Sequence, residues 1–114
     1  MSTRSALIPA AEALALSALI TPTEHGIASR VLAKDGGGTV TLFAFDAGEL
    51  LSEHSTPFDA LVFVLEGTFI LTIGGVPVEA GAGTVVRMPA DVPHAVEAVG
   101  PSRMLLSMLR ERTA

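Results

Sequence analysis

Three histidines, His25, His54 and His94, are the side chains of this 114-residue chain best suited to chemistry near neutral pH. Two recur in similar settings. His54 lies between Gly48 and Pro57, and His94 follows Gly83, Pro89 and Pro93. An imidazole pair in one cavity offers metal coordination, proton transfer, or hydrogen bonding to an organic ligand. Other partners are sparse. Glu53 and Asp59 have the wrong strand parity to join His54, and His25 falls in a loop. Asp91, flanked by proline-containing turns, reads as a turn residue rather than an orienter of His94. Ser29, Ser52 and Ser55 have no histidine and acid in a triad arrangement, which argues against nucleophilic catalysis. Arg30 and Arg87 sit in strand-like stretches; each reads as an outer-face cation, whereas an inward arginine would grip a carboxylate substrate.

Two stretches must position the histidines. Gly48–Gly67 and Gly83–His94 read as hairpins that each deliver one imidazole to a common cavity. Around them, period-two apolar patterning marks strands at 27–33, 39–45, 50–54, 59–65, 68–73, 76–79, 84–88, 94–98 and 104–110, punctuated by Gly and Pro. Gly74-Gly75 is a two-residue hairpin signal. Short strands at regular spacing predict an all-β sandwich or barrel. Ahead of them, Pro9 to Leu19 is rich in Ala and Leu, with Pro9 suited to a first helical position and Glu12 to a first turn. That stretch predicts a short helical arm. No repeat or low-complexity segment interrupts the chain.

Length fits one domain over 1–114, with an arm at about 1–22 and a barrel at about 27–110. There are no cysteines, which excludes disulfides and thiolate chemistry. Net charge is −5 and the seven Lys and Arg are scattered, against a nucleic-acid or anionic-membrane partner. Pro9 and Glu12 break the early apolar run, so neither an export signal nor a membrane span is expected, and a cytoplasmic location is. Apolar residues make up 49% of the chain, an excess that predicts an interface and hence a homodimer. Arg103, Arg110 and Arg112 read as surface charge.

The residues resemble the cupin family across roughly 27–110. Gly48, His54, Glu66 and Gly67 fall in register with the first cupin motif, and Gly83, Pro89 and His94 with the second. The resemblance implies an antiparallel jelly-roll β-barrel with an inward-facing Ala60, Val62 and Val64. It also implies a divalent metal (Fe, Mn, Ni or Zn) as the usual cofactor, held by three histidines and a glutamate. This chain departs from that set. Thr56 stands at the second histidine, Ala60 at the glutamate, Asp91 at a motif glycine and Ala98 at the asparagine. Only His54 and His94 remain as metal ligands.

The expected pocket is therefore lined by His54, His94, Thr56, Ala60, Val62 and Met88, with Met104, Leu106 and Met108 adding apolar wall. His94 is expected to enter from the facing sheet. Three functions remain open: a binding module for a small organic ligand, a carboxylate among the options; a metal-dependent enzyme of oxygenase or isomerase type; and a structural dimer with no site. The small cupins of unassigned function are the group it looks most like.

Overall fold

The computed structural model describes residues 7–110. Nine strands follow one another: β1 Ile27–Asp35, β2 Gly38–Phe45, β3 Leu50–His54, β4 Asp59–Glu66, β5 Thr68–Ile73, β6 Val76–Gly81, β7 Val85–Met88, β8 His94–Ala98 and β9 Ser102–Leu109. They form two antiparallel sheets in the orders β1-β2-β9-β4-β7 and β3-β8-β5-β6. The two face each other as a jelly roll, and most strand bounds fall within two residues of those read from the sequence.

Alternation along β4 shows how the sequence selects the core. Ala60, Val62 and Val64 are buried, while Leu61, Phe63 and Leu65 point away. Their inner faces meet Phe45, Phe69, Leu71, Met88, Val96 and Met104 in one cluster, with Phe45 and Phe69 edge to face at 5.1 Å. Gly74 and Gly75 both take positive φ, 58° and 83°, as a two-residue hairpin turn requires.

The loops sort by end. Residues 36–37, 55–58, 74–75 and 89–93 cap one end of the sandwich; residues 46–49, 67, 82–84 and 99–101 cap the other. The first end carries His54 and His94 and is called the mouth below.

The helix expected over Pro9 to Leu19 does not form. Its described residues hold only a 3₁₀ turn, Leu16–Ala18, preceded by an extended Ala15 with no side-chain cap. A lone helix of that length is marginal even in an Ala-rich segment. Here the backbone finds better partners on the larger sheet. Ile8 N–H donates to Leu32 O, Arg30 Nη1 to Leu19 O at 3.0 Å, and Arg103 Nη1 to Ser17 O at 3.4 Å. The segment is a strap laid across β1 and β9. The part of the arm before Leu7, and the surface reading of Arg112, lie outside the described residues. Among the described residues no helix is long and apolar enough to cross a membrane.

Candidate functional site

The site is built from the last residue of β3 and the first of β8. His54 and His94 are cross-strand partners, after an irregularity in pairing between Leu51 and His54. They reach the mouth as neighbours in one sheet, the sheet that faces β4. The rings lie edge to face with centroids 4.4 Å apart. His94 is 5% exposed, and His54 lies over it in the open.

Both rings are anchored in the same manner. Nδ1 of His54 sits 2.9 Å from Ser52 O, and Nδ1 of His94 sits 3.2 Å from Val92 O. A carbonyl can only accept, so each Nδ1 carries a proton, and in the neutral ring Nε2 is then the acceptor. Among the described residues no buried side-chain polar atom lacks a partner. Among the described residues the Nε2 of His94 has no hydrogen-bond partner, and as it is not among the buried unpartnered atoms it keeps some exposure. Burial holds this imidazole below its usual pKa range, the neighbouring His54 ring adds to that, and the Val92 carbonyl opposes it. His94 is therefore neutral at pH 7.

The remaining candidates are arranged differently. Thr56 turns its hydroxyl on its own loop, donating to Phe58 O and accepting from Phe58 N–H. Its carbonyl accepts Asp91 N–H at 2.7 Å, which ties the two histidine-bearing loops together. Ala60 and Met88 are register partners in the opposite sheet, and with Val62 they belong to the packed core. Met108 pairs with Ala60 from the other side. The row Met88–Ala60–Met108 is thus an inward-facing row close to the mouth end.

Among the described residues no carboxylate joins the imidazoles. Asp59 points outward and is held at both oxygens, by Ala90 N–H at 2.8 Å and by Arg87 at 3.0 Å. The Ala90 amide holds its carboxyl below the usual range; desolvation opposes this and the Arg87 guanidinium assists it. His25 lies at the far end of the sandwich, its side chain 87% exposed beside Asp46. Among the described residues no three His, Asp or Glu side chains form a group able to hold a metal ion. Arg30 binds the strap at Leu19 O, and Arg87 binds Asp59.

Sequence reasoning missed a cavity of about 760 Å³ at this same end, lined by Gly37, Pro57, Asp59, Ala90, Asp91, Leu109 and Arg110. Its walls come from the loops that carry the histidines and from the end of β9. The Arg110 guanidinium stacks on Phe58 at 5.1 Å beside it. Asp91 was the one clue: it stands where the motif has glycine, and it takes a positive φ of 65°.

The comparisons agree with this architecture. A family model described as a cupin domain matches residues 41–108. A conserved Streptococcus pyogenes protein of unknown function is 31% identical, with 93% of each chain covered and a TM-score of 0.86. A cupin superfamily protein from Desulfitobacterium hafniense is 29% identical over 93% of this chain and 96% of its own, with a TM-score of 0.84. A cupin 2 conserved barrel domain protein from Leptotrichia buccalis is 33% identical over 82% of this chain and 46% of its own, with a TM-score of 0.79. No curated protein matches the chain.

Proposed function

The chain belongs to the cupin family, and from that premise we propose that it is a binding protein whose barrel mouth takes a small ligand on His54 and His94. One observation carries this: two adjacent imidazoles, each with Nδ1 tied to the backbone carbonyl two residues before it and Nε2 with no partner among the described residues. Structural histidines inside a barrel would normally have both nitrogens engaged. A separate cavity at the same end, whose lining includes neither histidine, is of a size that suits small organic ligands. With Arg30 and Arg87 engaged elsewhere, a ligand that donates hydrogen bonds to Nε2 fits better than one that needs a cation from either arginine.

The alternative, a metal-dependent oxygenase or isomerase, needs Fe, Mn, Ni or Zn on three or more protein ligands. The residues present do not fit that requirement. Thr56 and Ala60 occupy the missing ligand positions, and Asp59 and His25 point away.

The partner in this reading is a second copy of the chain. The strap bonds to β1 and β9, while β4 and β7 leave Phe63 38% and Val85 54% exposed as register partners on the outer face. Saturation-transfer NMR against uncharged hydroxyl- and amide-bearing fragments tests the ligand. Binding lost in His54→Ala supports the reading; fragments that bind wild type and His54→Ala alike, or none that bind, contradict it.

A further inference from the structure

We infer that the cavity on the rim of the larger sheet is a second binding site, which takes a small apolar zwitterion of dipeptide size. It is separate from the histidine mouth. Asp59 and Leu109 are register partners at the ends of β4 and β9, and both line the cavity. Asp59 points outward, and Leu109 follows the inward Met108, so the cavity belongs to the outer side of that sheet. His54 and His94 stand on the facing sheet and are absent from its lining.

The charges on the wall decide the ligand class. Asp59 is already balanced, since Ala90 N–H and Arg87 Nη1 take its two oxygens at 2.8 and 3.0 Å. Asp91 and Arg110 remain, with opposite signs. They line one cavity, yet among the described residues they form no ion pair with each other. A simple anion would meet Arg110 but be repelled by Asp91, and a simple cation would meet the reverse. A molecule with an ammonium at one end and a carboxylate at the other satisfies both. Arg110 is set for its part. Its guanidinium lies 5.1 Å over the Phe58 ring, which occupies a face and leaves the in-plane N–H donors for a carboxylate. Its backbone N–H, bonded to Gly37 O at 3.0 Å, fixes the end of β9.

Asp91 argues for the site independently. It takes a φ of 65°, a region that a Cβ makes costly and that glycine enters freely. Its N–H donates to Thr56 O at 2.7 Å, a bond that glycine would make equally well. The loop's own geometry therefore does not call for a carboxylate at this position. A charged side chain without an ionic partner at a strained position is the pattern expected where an outside molecule uses it. Pro57, Ala90 and Leu109 supply the apolar part of the wall, and Leu109 is 48% exposed until something covers it. The volume of about 760 Å³ has room for a dipeptide.

Leucyl-leucine is the probe, titrated into nitrogen-labelled full-length protein at about pH 6.5, where its amine is charged. Amide shifts should centre on Gly37, Ala90 and Leu109. N-acetyl-leucyl-leucine, which lacks the ammonium, and leucyl-leucinamide, which lacks the carboxylate, should each bind at least about 5-fold more weakly. Asp91→Asn keeps the side chain's shape and the bond to Thr56. It should weaken the dipeptide by about the same factor and leave the acetylated form unaffected. Arg110→Gln should weaken the dipeptide and the acetylated form but not the amide. His54→Ala should bind the dipeptide as wild type does. No binding, analogues as tight as the dipeptide, or affinity lost in His54→Ala overturns the inference. The binding of fragments through His54 is decided separately, because none of these variants but His54→Ala alters the mouth.

Discussion

Lowering the pH should destabilise this protein in a way traceable to one residue. Burial keeps the folded His94 imidazole below the usual value of 6.5. The unfolded chain therefore takes up a proton at a pH where the folded chain does not. Stability from this source is complete above about pH 6.5 and is lost as pH falls toward the folded value, levelling off below it. With one proton of difference, the slope reaches at most about 1.4 kcal/mol per pH unit. Asp46 and Asp59 also have lowered values, but theirs start from 3.8, so their stabilisation is lost only in stronger acid. The window from about pH 7 to 5.5 thus isolates histidine. His25 is common to every variant and cancels in the comparison. The chain has no Trp or Tyr, so urea unfolding must be followed by far-UV circular dichroism. His94→Gln should flatten the slope in that window. His54→Ala should make it shallower, since the His54 charge is one cause of the lowered value. A wild-type slope in His94→Gln, or stability that rises as pH falls, would refute the reasoning.

Three further outcomes follow from packing. Gly67→Ala should cost about 3 kcal/mol in urea unfolding, because φ is +77° and a Cβ would clash with the Ser102 hydroxyl that bonds Thr68 and Gly100. Met104→Ala, at 1% exposure in the core, should cost about 3 kcal/mol by the same measurement. Phe63→Glu should convert the proposed dimer to a monomer in light scattering at micromolar concentration; a wild-type monomer, or a dimer that survives the change, would remove the outer face of the larger sheet as the interface.

What the sequence made legible was the part encoded by short-range chemistry. Period-two patterning and paired glycines gave the strands, and the spacing around Gly48, Pro89 and His94 named both histidines. What it hid was decided at long range. Pro9 to Leu19 has helix-forming residues, yet two arginines from distant strands claim its carbonyls. Arg30 was expected on the outer face, but that it would tie down Leu19 depends on a contact eleven residues away. Thr56 has the parity of a pocket residue, and the turn at Pro57 spends its hydroxyl on Phe58 instead. That His54 and His94 share a sheet follows from strand order, which local patterning does not specify.

The most direct test is a long-range proton–nitrogen NMR correlation of the three imidazoles at pH 7.5. The account predicts the Nδ1–H form for both His54 and His94, with nuclear Overhauser contacts between their rings, which lie 4.4 Å apart. Protons on Nε2 of either ring, or rings with no contact, would contradict it.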